Sequence, residues 1–125
     1  MTNKIREDER VDIVFRFVEK YPDIETVQEH QAVLLEKGGV WLGKVGKGLS
    51  ERTIATINKQ CKDGPTYLYL ARLIGGEYKI DRARLLELSK DLPSKDAKLV
   101  PAYYREHNVT PFVVVWFKLD QIETV

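Results

Sequence analysis

The chain has 125 residues, 43% hydrophobic and 31% charged, with a net charge of +1 from 20 Lys and Arg against 19 Asp and Glu. That length and composition build one domain with its own core and exclude a disordered tail. The near-neutral balance argues against a strongly cationic nucleic-acid clamp, although a local basic patch is compatible with it.

Val11, Val14, Phe15 and Val18 recur at i, i+3, i+4 and i+7, and Ile13 and Phe17 widen the stripe. This spacing predicts a helix that Tyr21-Pro22 ends, with Glu7, Asp8 and Glu9 suited to the positive end of its dipole. Residues 1–22 therefore read as a helical extension within a single domain, 1–125. A second helix is expected from Thr26 to Lys37, with Val27, Gln31, Leu34 and Leu35 on one face and Gly38-Gly39 closing it. The β-branched and aromatic run from Val40 to Val45 predicts a strand. Ser50 caps a helix from Glu51 to Lys62, whose inner face is Ile54, Ile57 and Cys61 and which "DGP" stops.

"TYLYLARLI" is apolar on both faces and reads as a strand inside a sheet. "YKIDRARLLELSKDL" satisfies two periods: Leu85, Leu88 and Leu92 fit a helix capped by Asp81, while Ile80, Leu86 and Leu88 alternate as a strand does. A loop from Pro93 to Pro101 leads to "YYREHN", and "TPFVVVWFKL" closes the chain as a buried strand. The order predicts an α+β fold with a small mixed or curled β-sheet and flanking helices, without the regular alternation of a doubly wound sheet.

The stretch "GGVWLGKVGKGLS" invites a phosphate-loop reading. Gly38 and Gly43 have the P-loop separation and Lys44 follows, but Val45 stands where the hydroxyl for magnesium belongs. Gly43, Gly46 and Gly48 run G-x-x-G-x-G, the reverse of the dinucleotide pattern. The remaining readings are a solvated turn, or a strand and turn whose Lys44 and Lys47 stand beside exposed amides and a helix start, an anion-friendly place.

No paired carboxylates, Ser-His-Asp or Cys-His arrangement or metal-ligand cluster is visible, so no catalytic residue, metal or cofactor is expected. Cys61 is the lone cysteine and reads as an inert thiol; His30 and His107 read as satisfied or surface histidines. The polar start is no secretory segment, and the longest apolar run, Phe112 to Phe117, is too short for a membrane span. A cytoplasmic protein without a membrane partner is the expectation.

Together with "GGVWLGKVGKGLS" and "TYLYLA", the stretches "LVPAYYREHN" and "VWFKLDQI" resemble small PUA-superfamily domains of the EVE and YTH kind. The resemblance is nearest to those fused to modification-dependent restriction motor proteins and runs from about residue 26 to 122. It implies a curled, nearly barrel-like sheet and recognition of a flipped-out, often modified, base in an aromatic pocket. Trp41 matches the tryptophan of the first strand, Tyr103, Tyr104 and Arg105 the tyrosine turn, and Trp116, Phe117 and Lys118 the closing strand. The implied partner is nucleic acid, duplex DNA with a modified base, with a motor or nuclease in the same or a neighbouring chain.

Unstacking a base costs a few kcal/mol, and each stacked aromatic ring returns ~1–3 kcal/mol. Candidate walls are Trp41, Trp116, Tyr67, Tyr69, Tyr103 and Tyr104, with Tyr67 and Tyr69 on one strand face. Candidate phosphate contacts are Lys44, Lys47, Arg52, Arg84 and Arg105, with Arg72 and Arg82 as further cations. For each aromatic residue the alternative is ordinary packing in the core. At the level of function, the alternative is a protein-interaction or assembly module of the same fold that docks through its first helix.

Overall fold

The computed structural model describes residues 5, 6 and 9–125. Its elements are strand β1 (Ile13–Phe17), helix α1 (Thr26–Lys37), strand β2 (Val40–Val45), helix α2 (Glu51–Asp63), strands β3 (Thr66–Ile74) and β4 (Glu77–Ser89), the short helix α3 (Tyr103–Glu106) and strand β5 (Val113–Thr124). One five-stranded sheet in the order β1-β3-β4-β5-β2 curls into a half-barrel, and only the β1–β3 pairing is parallel. The α+β class and curled mixed sheet are as expected.

The helix expected over Val11 to Val18 is not formed. Ile13, Phe15 and Phe17 alternate toward the core and pair with Leu68, Leu70 and Arg72 of β3. Period 2 wins because β3 has an open edge to fill, and a helix leaves that edge's backbone groups unpaired. Glu7 and Asp8, expected at the helix start, lie outside the described residues.

The ambiguous stretch is β4, the middle strand. Its register against β5 shifts between Arg84 and Leu85 and again between Leu85 and Glu87. An irregularity of this kind turns successive side chains out of strict alternation, so both Leu85 and Leu88 are buried at the i, i+3 spacing that imitates a helix. The β3–β4 hairpin turns on Gly75 and Gly76, both at positive φ, as a two-residue turn of the primed type needs.

The main core lies inside the curl. Val40 and Leu42 of β2, Leu68 and Leu70 of β3, Ala83 and Leu85 of β4, and Val115, Phe117 and Leu119 of β5 fill it. Val27, Val33 and Leu34 of α1 and Ile54 and Ile57 of α2 pack against it. Leu35, expected on the inner face of α1, is exposed, and His30 is the buried residue of that helix. As expected, Ser50 caps α2 by accepting from the Thr53 N–H.

A second cluster sits on the other face of β2 and β5. Trp41, Trp116, Tyr103 and Tyr104 form it, covered by Leu92, Leu99, Val100 and Val109 from the connection between β4 and β5. That connection begins with a 3-10 turn, Ser94–Leu99, and continues into α3. With cover on both faces, Val40, Trp41 and Leu42 are all buried in succession.

Candidate functional site

β1 and β2 are the end strands of the sheet, so each has one edge without a strand partner. Between them lies a hollow of about 300 Å³, at the lower end of the ~300–1,000 Å³ of small-molecule sites. Phe15, Arg16, Phe17 and Val18 all line it. Residues of both parities take part, so β1 borders the hollow with its edge rather than one face. Leu42, Gly43 and Val45 line the β2 side, and Tyr103 and Tyr104 enter from α3. Arg16, Val18, Lys20 and Val45 are exposed members of the lining, so the hollow opens to solvent.

Gly43 fits here because it lacks a side chain. A Cβ at this position would lie 2.7 Å from a methyl of Val113 and 3.0 Å from the Trp116 ring. Its N–H, on the free edge of β2, donates to the Tyr104 hydroxyl at 2.9 Å. The same hydroxyl is 2.8 Å from His30 Nε2, and His30 Nδ1 is 2.6 Å from the Thr26 carbonyl oxygen. A carbonyl can only accept, which assigns the proton to Nδ1; Nε2 then accepts from Tyr104, and every group in the chain is satisfied. Burial lowers the His30 pKa to about 4, so the ring is neutral near pH 7. Burial also pushes Tyr103 up to about 12 and Tyr104 well above the ordinary tyrosine value, so neither phenol brings charge to the hollow.

Glu19 is the acid in the lining. Its carboxylate accepts from the Thr26 N–H at 2.8 Å and the Thr26 hydroxyl at 2.5 Å, capping α1 where Glu25 makes no side-chain cap. Arg72 lies 3.4 Å from Glu19 and 3.2 Å from Glu25. The negative charge beside the hollow is thus matched by a buried guanidinium.

The Pua-like family model matches residues 13–125. The chain belongs to the Pua-like family. The match begins at the first residue of β1, which joins to the domain a segment that the sequence sets apart as an addition. Pua-like domains are often nucleic-acid binders and are typically binding modules rather than catalysts. No curated protein and no solved structure matches the chain. Among the described residues, no helix is long and apolar enough to cross a membrane.

The structure of this Pua-like domain brings four of the six expected aromatic residues together and separates the other two. Trp41, Trp116, Tyr103 and Tyr104 share the second cluster, with Tyr104 5.6 Å from Trp116 and 4.7 Å from Tyr103, centroid to centroid. Only the tyrosines reach the hollow, and at 7% and 2% exposure they offer it little open ring surface. Trp41 is fully buried, and its indole N–H donates to Asp96 at 2.9 Å, holding that carboxyl below its usual range. Lys118 completes this group, 3.4 Å from Asp96 and above the Trp41 ring. Tyr67 and Tyr69 are half-buried on the side of β3 opposite Leu68 and Leu70, and the Arg82 guanidinium lies 4.4 Å from the Tyr67 ring centre.

The half-buried rings on the hollow are Phe15, Phe17 and Tyr21. Phe15 and Phe17 are tilted against each other at 5.6 Å, and Tyr21 has one face stacked on His107 at 4.0 Å. The helical reading of Val11 to Val18 hides the two phenylalanines; the Ile-x-Phe-x-Phe alternation is the signal that finds them. Among the expected phosphate contacts, Lys44 and Lys47 share the turn after β2, the Lys44 ammonium bonding the Lys47 carbonyl. Arg52 and Arg105 are exposed on α2 and α3, and Arg84 is paired with Asp120. Arg72 and Arg82 are also ion-paired, the latter with Glu123.

Proposed function

We propose that this domain binds nucleic acid and receives one base, flipped or modified and most simply from DNA, in the hollow between β1 and β2. The observation that carries the reading is an opening of about 300 Å³ with half-buried aromatic rings on its wall, placed where the sheet stops short of closing. A swung-out base needs an apolar slot with aromatic rings to replace its lost stacking, and the half-buried Phe15, Phe17 and Tyr21 in the lining are the residues suited to that. The edges of two strands supply backbone donors and acceptors near the slot, suited to a base edge. In this reading Trp41 and Trp116 support Tyr103 and Tyr104 from behind and do not themselves stack on the base.

The alternative of an assembly module that docks through a helix over Val11 to Val18 loses support, since Ile13–Phe17 form strand β1 there. The test is to fill the slot from its rim. Val18→Trp and Val45→Trp, at exposed lining positions, are measured against short duplexes that differ in one methylated base. The wild-type protein is expected to prefer the modified duplex and the filled variants to lose that preference, with affinity for it falling at least about tenfold, the equivalent of one lost stacking contact. Folded variants that keep the wild-type preference overturn the reading.

A further inference from the structure

We infer that the strand carrying the base lies across the slot between two pairs of cations, Arg16 and Lys20 on the β1 side and Lys44 and Lys47 on the β2 side. The inference rests on the proposed base-binding function and adds the path of the backbone to it. A nucleotide swung out of its stack stays joined to a phosphate on its 5′ side and another on its 3′ side. A slot that admits the base must therefore meet an anion at each side of its mouth.

The charges are arranged for that. Arg16 and Lys20 are exposed members of the slot lining. Lys44 stands between two lining residues, Gly43 and Val45, and its bond to the Lys47 carbonyl ties the two lysines into one turn. Among the described residues none of these four has an ion-pair partner, whereas Arg10, Arg82, Arg84 and Lys118 each hold a carboxylate away from the slot and Arg72 holds Glu19 in its lining. The acid inside the slot, Glu19, is already engaged by Thr26 and Arg72. The rim is thus locally positive on both sides, although the whole chain is close to neutral at +1. Arg84, expected among the phosphate contacts, pairs with Asp120 and takes no part.

The test is the salt dependence of binding. Observed association constants for a single-stranded oligonucleotide and for a duplex with one methylated base are measured from about 50 to 200 mM salt, the range over which phosphate contacts show themselves. The proteins are wild type, Arg16→Gln/Lys20→Gln, Lys44→Gln/Lys47→Gln, and Lys59→Gln as an exposed control on α2. Each phosphate contact contributes a slope of about −0.7 for single strands and −0.9 for duplex. With each cation meeting one phosphate, each double variant is therefore expected to flatten the log–log slope by about 1.4 for the single strand and about 1.8 for the duplex, with Lys59→Gln unchanged. A double variant that keeps the wild-type slope overturns the two-sided path.

The same samples separate this inference from the reading it rests on. Unchanged slopes together with a base preference lost in Val18→Trp mean that the slot reads a base and the backbone runs elsewhere. Flattened slopes with the preference intact in Val18→Trp mean that the cations hold phosphates and the slot holds no base. A wild-type protein that binds neither oligonucleotide overturns both.

Discussion

The His30 ring joins α1 to α3, and the Tyr104 hydroxyl that it meets carries the link on to β2. The ring accepts a hydrogen bond from the Tyr104 hydroxyl, donates one to the Thr26 carbonyl, and has no exposure to water. A second proton would leave Nε2 a donor facing a hydroxyl that must then turn round, with a charge in a dry site, and desolvation accordingly lowers the pKa to about 4 from 6.5. The sign of the linkage follows. Between these values the unfolded chain binds a proton that the folded protein refuses, so stability rises with pH across the window. The contribution is full above pH 6.5, falls as pH drops toward 4, and amounts to about 3 kcal/mol over the window. Urea unfolding at pH 7.5 and pH 5 should show about 2 kcal/mol of this loss in the wild-type protein, since pH 5 crosses only part of the window, and a flatter dependence in His30→Gln. Equal slopes in the two proteins would assign the pH effect to other groups.

Among the strands, β1 is the shortest, at 5 residues, and as an end strand it pairs with β3 alone. Its approach is held by side chains that stand in for a strand. The Gln60 amide donates to the Val11 carbonyl at 2.7 Å and accepts from the Val11 N–H at 2.9 Å, while Arg10 bonds Asp63 and the Pro65 carbonyl. Asn58, one short step along α2, grips Leu88 of β4 in the same bidentate way. Gln60→Ala leaves both backbone groups of Val11 unmatched, a cost of about 1–3 kcal/mol. Amide hydrogen exchange is expected to quicken first across β1 with β3 to β5 less affected, and an equal change across all strands would refute the local role. These contacts explain why β1 is hard to read from sequence. Phe15 belongs to both the period-3.6 set and the period-2 set, and the partners that decide between them lie some fifty residues away, at Gln60 and in β3. The other elements carry their own punctuation: Gly38 after α1, Ser50 before α2 and Gly75-Gly76 between β3 and β4 are local signals, and those boundaries are legible.

For the molecule as a whole, the sheet works with both faces near β2 and β5. One face builds the interior of the curl and the other carries the tryptophan and tyrosine cluster. Aromatic content near glycine turns does not tell a ring that borders a hollow from one packed behind it, since that depends on the cover laid over Trp41 by the connection after β4. The difference is measurable. Trp41→Ala removes a fully buried indole and the donor to Asp96, so a loss of about 3–5 kcal/mol in urea unfolding is expected, against a small change for Val45→Trp at the exposed rim. A Trp41→Ala protein as stable as the wild type would contradict the packing role.

The curl has one more effect. Unpaired strand margins are where a neighbouring copy can add its own strand and start a fibre. Here both margins border one hollow, with Arg16 and Lys20 in its lining on the β1 side and Lys44 between the lining residues Gly43 and Val45 on the β2 side. The cations proposed to meet a nucleic-acid backbone therefore also discourage the margin of one copy from pairing with that of another.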